Sequence, residues 1–217
     1  MPRGLDDDRG MALLIAIGLV LLLTAIGGAM AVASRTEILI VGNVRESRAA
    51  LYAAEGAAAL AVRDLGAAPD WNAVLTGAAA SSFTDGAAIG ARTLPGGDSV
   101  VLCCGGSSLT HDVQQRAHAG RTWGADTPVW QIFAWGPATG WLPAGRIDSP
   151  LYVVAWVADD SDDGDGNPHV DSNGFMQLHV HALGRSGART VVEVGVARPA
   201  GGVQADTSIR AWRDVRW

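Results

Sequence analysis

The feature that most constrains the fold is an uncharged apolar run near the N-terminus. From Met11 to Ser34 the chain carries no Asp, Glu, Lys, Arg or His. A helix needs about 20 such residues to cross the hydrocarbon core of a bilayer, so the run is long enough to span. The apolar part of a cleavable secretion signal is usually shorter, about 7–15 residues, although Ala31, Val32 and Ala33 before Ser34 match the pattern of a small-residue cleavage site. The run predicts a membrane anchor and leaves a removable signal open.

The residues after this run also have the composition of a helix. No proline occurs between Arg35 and Pro69, and the segment is rich in Ala, Leu, Arg and Glu, which are strong helix formers. We predict that the helix continues to about Asp64, which gives a membrane and spine helix over residues 11–64. An ordinary signal peptide is not usually followed by an amphipathic continuation that merges with it.

The N-terminal region, residues 9–62, resembles that of the PilX-like minor pilins of type IV pili. The resemblance lies in a short charged leader that ends in Gly10, an apolar helix from Met11, and the later stretch GNVRESRAALYAAEGA. It implies that residues 1–10 are a leader, that prepilin peptidase cuts after Gly10, and that Met11 becomes an N-methylated first residue. Along the helix the resemblance marks Ile15, Arg35, Glu37, Gly42, Asn43, Arg45 and Glu55.

Ile15 is the fifth residue after the implied cleavage site, where major pilins and most pseudopilins carry Glu. In those relatives the carboxylate pairs with the N-terminal amine of a neighbouring subunit, because an unpaired carboxylate inside a bilayer is costly. A subunit without this Glu fits a position without that neighbour. The resemblance therefore implies a minor pilin at or near the filament tip, and a membrane anchor outside any filament is the alternative.

The rest of the chain, residues 65–217, has the pattern of an antiparallel β domain. Residues 65–97 are rich in Gly, Ala and Ser and predict loops with one short helix around residues 70–76. Apolar runs without long helices between them predict strands, and GRSG between the last two predicts a hairpin. The predicted strands are residues 99–104, 129–136, 151–158, 175–183 and 188–197, and SIRAWRDVRW is predicted as an edge strand or a tail.

The predicted fold class is therefore α+β, with the long N-terminal helix packed on a C-terminal antiparallel sheet. This layout is pilin-like. We expect one sheet face to pack on the helix and to bury Trp130, Trp156 and Leu178. Residues 105–127 and 136–150, which contain Gly, Pro and Ser, are expected to form surface loops.

The most acidic stretch, residues 159–174, contains six Asp and no Arg. Carboxylates this close repel each other unless a hard cation collects them, and Ca²⁺ takes 6–8 oxygen ligands. We predict Ca²⁺ bound by Asp163, Asp165, Asn167 and Asp171, with a solvated acidic loop as the alternative. The stretch is not an EF-hand, because Pro and Gly stand where such a loop needs Gly and Glu.

Cysteine and histidine pairs are two further candidate sites. Cys103 and Cys104 are adjacent and are the only cysteines, so they form either two thiols on opposite faces of a strand or a vicinal disulfide. His179 and His181 share one face of a predicted strand, because side chains alternate. We expect that face to meet solvent; the alternative is Zn²⁺ binding, for which no third ligand can be named.

Composition and motifs argue against two classes of function. The net charge is −6 and no basic stripe occurs, which argues against nucleic-acid binding. The chain has no G-x-S-x-G, H-E-x-x-H or P-loop motif, so we do not expect an enzyme.

Together with these features, the resemblance implies a minor pilin that is held in the bacterial inner membrane by one span and then enters a pilus on the cell surface. Its expected partners are other minor pilins, the major pilin, prepilin peptidase and a tip adhesin. Two alternatives stay open: a tip pseudopilin of type II secretion, and a secreted calcium-binding or adhesive domain that signal peptidase releases after Ala33.

Overall fold

The computed structural model describes residues 5–119, 124, 126–141, 149–199 and 207–215. The chain divides after Arg45 into two units. The long predicted helix is present as α1, Leu5–Ala67, and it ends just before Pro69, because a proline disfavours the helical conformation of the residue that precedes it. Residues 1–4 of the predicted leader lie outside the described residues.

The described part of the N-terminal unit is the first part of α1, and it includes the exposed apolar stretch that begins at Met11. Among the described residues, α1 is the one helix long and apolar enough to cross a membrane, and none of its most apolar stretch is buried. Its hydroxyl groups bond within the helix: Thr24 Oγ1 donates to the carbonyl of Val20 over 2.7 Å, and Thr36 Oγ1 donates to that of Val32 over 3.0 Å. Such internal bonds are what a lipid environment requires.

Within the described residues, the second unit contains two further α-helices and two sheets. A five-stranded antiparallel sheet has the strand order β3-β4-β5-β6-β7, and β1 pairs with β2 in a separate two-stranded sheet. The elements are α2 (Trp71–Leu75), β1 (Ala91–Thr93), β2 (Ser99–Val101), α3 (Leu109–His118), β3 (Gln131–Pro137), β4 (Tyr152–Asp159), β5 (Phe175–Leu183), β6 (Arg189–Ala197) and β7 (Ser208–Val215).

Four of the predicted strands form the main sheet, and the predicted β5–β6 hairpin is confirmed by their antiparallel register. The prediction for residues 99–104 was wrong in its pairing, because only Ser99–Val101 is a strand and it pairs with β1. The fifth strand of the sheet is β7, which pairs with β6 along the edge. The short helix predicted around residues 70–76 is α2.

One face of the sheet packs on the C-terminal part of α1. The buried helix residues recur at spacings of three and four, so they form one stripe. Alanine fills most of this stripe, and its small side chain lets the helix lie close to the β-branched residues of β4 and β6. The buried stripe comprises Ala50, Ala54, Ala57, Ala58, Ala61 and Leu65, and it belongs to one core cluster with Val153, Val157, Leu178, Val180, Val192 and Val194.

The opposite face of the sheet is also covered, by α3 and the residues around β2. Trp130 and Trp156 lie in this second cluster with Leu109 and Val113 of α3, so the expectation that both Trp pack with Leu178 against α1 was wrong. Side chains alternate along β4, which places Trp156 and Val157 on opposite faces. Because both faces are covered, every residue of β4 is buried.

The predicted surface loops contain more structure than their composition suggests. Residues 105–127 include α3, which begins after the N-cap Ser108, whose Oγ accepts a hydrogen bond from the backbone N–H of His111. Residues 136–150 begin with the end of β3 and a short 3-10 helix, Ala138–Gly140. Residues 142–148 of that predicted loop lie outside the described residues.

Candidate functional site

The acidic loop between β4 and β5 brings three carboxylates together. Asp159 is the last residue of β4, and Asp163 and Asp165 follow in the loop. One carboxylate oxygen from each of the three lies within 4.8 Å of the others. The three residues differ in exposure: Asp159 is buried, Asp163 is half-buried and Asp165 is exposed. The group therefore reaches from the protein interior to solvent.

Asp159 is the unusual member of this group. Its side chain is 1% exposed, and neither carboxylate oxygen accepts a hydrogen bond of good geometry. Burial raises the pKa of Asp159 to about 7, and the negative charge of Asp163 adds to the rise; the backbone N–H of Asp160 offsets part of it. A buried carboxylate without a partner is costly, so this position demands an explanation.

Local hydrogen bonds hold the other two carboxylates. Asp163 Oδ2 accepts from the backbone N–H of Ser172 over 2.8 Å, and its Oδ1 accepts from the Ser172 hydroxyl. Asp165 Oδ1 accepts from the backbone N–H of Asn167 over 2.8 Å. Each carboxylate keeps further lone pairs, since an ionised carboxylate offers about four acceptor sites. The oxygens are fixed in position and still available to a ligand.

The predicted calcium ligands are thus only partly brought together. Asp163 and Asp165 belong to the group, whereas Asp171 lies outside it. Asp171 Oδ1 accepts from the backbone N–H groups of Gly174 and Phe175, and the Asn167 side chain accepts from the backbone N–H of His169 over 3.2 Å. Burial raises the pKa of Asp171, and the Gly174 N–H and the Arg198 charge offset part of that rise.

Asp159 is the residue that the sequence-based prediction missed. It stands directly after an apolar run with no polar alternation, and such runs are typical of strands buried on both faces. An Asp at the end of such a strand is therefore expected to be buried, and this signal was available in the sequence.

The same loop also contacts α2. The backbone N–H of Asp171 donates to Asn72 Oδ1 over 2.9 Å, and His169 Nδ1 lies 3.2 Å from the carbonyl oxygen of Leu75. The loop is therefore hydrogen-bonded to α2, so a change in the conformation of the loop can alter its contacts with α2.

The two histidines of β5 are buried, which corrects the expectation that they face solvent. His179 is 2% exposed and His181 is 0% exposed, because the Trp130 and Trp156 rings cover them. His179 Nδ1 lies 3.2 Å from Glu193 Oε1, and the Nε2 atoms of the two histidines are 2.8 Å apart. One Nε2 atom must donate and the other accept, so both rings cannot be cations.

Glu193 links this buried pair to the exposed edge strand. Its Oε2 accepts from Arg213 Nε over 3.1 Å. Burial raises the pKa of the Glu193 carboxyl, but hydrogen bonds from His179 and Arg213 outweigh it and lower that pKa to about 2. The carboxylate is therefore charged throughout the physiological range and fixes the orientation of His179.

Replacing His181 by Gln is expected to flatten the acid side of the stability profile. Burial holds the pKa of His181 well below its ordinary value of 6.5, and the nearby His179, Arg189 and Arg116 act in the same direction. Below pH 6.5 His181 therefore binds a proton in the unfolded state and stays neutral in the folded state. The contribution of His181 lowers the parent's free energy of unfolding by up to about 1.4 kcal/mol for each unit that the pH falls.

This expectation is checked by urea unfolding of the full chain in detergent between pH 7.5 and 5, followed by Trp fluorescence. Val180→Ala, a buried residue of the same strand on the other face, destabilises without removing an ionisable group and should keep the parent's pH slope. Parallel profiles for the parent and His181→Gln would contradict the prediction.

The other predicted site residues are spread over the chain. Cys103 and Cys104 form a vicinal disulfide bond in the structure. The residues that the pilin resemblance marks are exposed along α1, apart from the half-buried Glu55. Those exposed residues are Ile15, Arg35, Glu37, Gly42, Asn43 and Arg45.

Comparisons of the chain with protein-family models, with curated protein sequences and with solved structures give no match.

Proposed function

We propose that this chain is a PilX-like minor pilin that takes part in type IV pilus assembly at or near the filament tip. The observation that carries the proposal is α1: one helix contains an exposed, uncharged apolar stretch and then supplies the alanine stripe of the β-domain core. A pilin needs both parts, because the same helix is held in the membrane and presents the globular domain.

The apolar stretch from Met11 stores the subunit in the bilayer. Its large exposed side chains include Leu14, which is 69% exposed, and Leu23, which is 67% exposed, and such a surface is stable in hydrocarbon and not in water. During assembly this surface exchanges lipid for the equivalent helices of other pilins. The proposed partners are therefore other minor pilins and the major pilin.

The proposed place at the tip depends on Ile15. This side chain is 59% exposed on the helix, and it puts an apolar group where a Glu in other pilins binds the amine of a neighbouring subunit. A subunit without this carboxylate has no need of that neighbour. In the same proposal, Arg35 and Glu37, both exposed, mark the end of the apolar stretch at the membrane surface.

The start of the mature chain tests the proposal. Mass spectrometry of the protein isolated from membranes of the cells that make it is expected to show N-methyl-Met11 as the first residue. Gly10→Val should leave the leader attached, whereas Ala33→Val should leave processing unchanged. A start at Ser34 means a domain released by signal peptidase, and a start at Met1 means an uncut anchor; either result contradicts the proposal.

A deletion separates the remaining alternative, a tip pseudopilin of type II secretion. Cells that lack the chain are expected to lose surface pili and to keep normal export of secreted proteins. The reverse outcome, normal pili with blocked export, would assign the chain to the secretion system instead.

A further inference from the structure

The Asp159 carboxylate is a buried acid that the fold does not explain. Buried polar groups are hydrogen-bonded or paired in nearly all proteins, yet neither oxygen of this side chain accepts a hydrogen bond of good geometry, and the nearby Asp160 backbone N–H only partly offsets the cost of its burial. It ends a strand whose residues are all buried, and an apolar residue there would cost far less. A group retained at such a cost points to a ligand that completes it.

The groups that the structure brings to Asp159 are acidic. Oxygens of Asp163 and Asp165 lie within 4.8 Å of an Asp159 oxygen and of each other. The Arg198 guanidinium, which acts on Asp171, lies 4.5 Å from the centre of the Trp71 ring. Three mutually repelling carboxylates, of which one is buried, favour a bound cation between them.

We propose that the loop between β4 and β5 is a calcium site in which Asp159 is the buried ligand and Asp163 and Asp165 complete the acidic side. All three donors are hard carboxylate oxygens, as Ca²⁺ prefers. Its ligands lie at about 2.3–2.6 Å, so two oxygens bound to one Ca²⁺ can be up to about 5 Å apart. Separations of no more than 4.8 Å are compatible with this sphere. Ca²⁺ also accepts the flexible geometry of a loop, whereas Mg²⁺ demands a near-ideal octahedron at about 2.0–2.1 Å.

Two other acidic residues of the loop, Asp160 and Asp171, have structural roles that fit this ligand set. Asp160 accepts from the Asn173 side-chain amide over 2.8 Å and from the backbone N–H of Asp162 over 3.1 Å. Asp171 accepts backbone N–H groups where the loop meets β5. Asp165 is exposed, so water reaches the cation on that side and fills the remaining coordination positions.

Calcium at this position stabilises the loop against α2. The loop touches α2 through the hydrogen bond between the Asp171 backbone and Asn72 and through His169 at Leu75. A bound Ca²⁺ offsets the mutual repulsion of the three carboxylates, and this repulsion opposes the loop conformation that contacts α2. This proposal does not depend on the pilin proposal and applies equally to a secreted domain.

The test is a calcium titration of the full chain in detergent after treatment with EDTA. Thermal unfolding, followed by Trp fluorescence, is measured with CaCl₂, with MgCl₂ and with NaCl at equal ionic strength. At calcium about 100-fold above its Kd we expect the Tm to rise by about 5 to 10 °C. No rise with CaCl₂, or an equal rise with MgCl₂ or NaCl, overturns the proposal.

Matched variants locate the effect. Asp165→Asn and Asp162→Asn each remove one charge from an exposed loop residue, but only Asp165 belongs to the group. We expect Asp165→Asn to weaken calcium binding at least tenfold and Asp162→Asn to retain the parent's shift. Equal calcium shifts for these two variants overturn the proposal.

Asp159→Asn tests the buried ligand itself. Without calcium this variant should unfold at a higher temperature than the parent at pH 8, because a neutral amide replaces an unpaired buried charge, and calcium should no longer shift its Tm. A full calcium shift in folded Asp159→Asn overturns the role of Asp159. If this variant fails to fold, the comparison of Asp165→Asn with Asp162→Asn decides the proposal.

Discussion

Replacing Ala58 by Glu is expected to destabilise the β domain by about 3 kcal/mol or more, or to prevent its folding. Ala58 is 0% exposed and lies in the core cluster between α1 and the sheet. A longer side chain overpacks this interface, which costs about 1–3 kcal/mol, and the carboxylate is taken out of water without a partner at further cost. Urea unfolding of the full chain in detergent measures the loss.

Ala59→Glu is the matched control for this prediction. Ala59 is the next residue of the same helix and is exposed, so a Glu side chain there remains in water. This substitution should change the free energy of unfolding by less than about 0.5 kcal/mol. Helix propensity cancels between the two variants. If Ala58→Glu yields no folded protein, Ala58→Leu supplies a milder overpacked variant. Equal stabilities of Ala58→Glu and Ala59→Glu would show that α1 does not pack on the sheet through this stripe.

Replacing Trp156 by Ala is expected to cost about 3–5 kcal/mol, the range for large aromatic residues in cores. Trp156 is 0% exposed, and its ring centre lies 4.9 Å from that of His181. Its Nε1 donates to Thr110 Oγ1 of α3 over 2.8 Å. The substitution therefore leaves a cavity and removes the hydrogen bond that joins the sheet to its outer layer.

Two further variants resolve this effect into its parts. Trp156→Phe keeps most of the ring and should lose about 1 kcal/mol for the hydrogen bond. Trp212→Ala removes an indole that is 42% exposed on the edge strand and should cost much less than Trp156→Ala. Similar losses for Trp156→Ala and Trp212→Ala would contradict the presence of a packed layer over this face.

The two layers of the sheet have different places in the proposed assembly. The layer formed by α1 belongs to the same helix as the apolar stretch, so the β domain cannot be separated from the spine helix without loss of its core. The core cluster of the outer layer, which includes residues of α3 and the residues around β2, contains no residue of α1. Substitutions in the alanine stripe are therefore expected to affect both pilus assembly and the stability of the β domain. Substitutions around Trp156 are expected to affect mainly the stability of the β domain.

The prediction for β5 shows that the sequence pattern assigns side chains to the faces of a strand and does not predict whether each face is exposed. Alternation placed Met176, Leu178, Val180 and Ala182 on one face, and the structure confirms that all four are in the core against α1. The same alternation placed His179 and His181 on the other face, which is also correct. Their exposure was predicted wrongly, because alternation defines two faces and does not tell whether a second layer covers the polar one.

The calcium prediction shows that residue spacing alone identifies only some of the side chains that lie together. Spacing within the loop selected Asp163 and Asp165, which do lie together, and it also selected Asn167 and Asp171, whose side chains cap local backbone N–H groups. It did not select Asp159, because the proximity of a strand end to its following loop depends on how the chain folds back.

The sequence by itself determined the elements whose signals are local. The uncharged run, the absence of proline before Pro69 and the apolar runs are enough for α1 and for four strands of the main sheet, since periodicity and propensity act over a few residues. Only the tertiary structure decided that both faces of the main sheet are covered, that β7 rather than residues 99–104 completes this sheet, and that Asp159 lies close to Asp163 and Asp165. The first two features arise from contacts between residues far apart in the chain, and the third arises from the way the loop after β4 folds back on the end of that strand. No local pattern encodes the partner of such a contact.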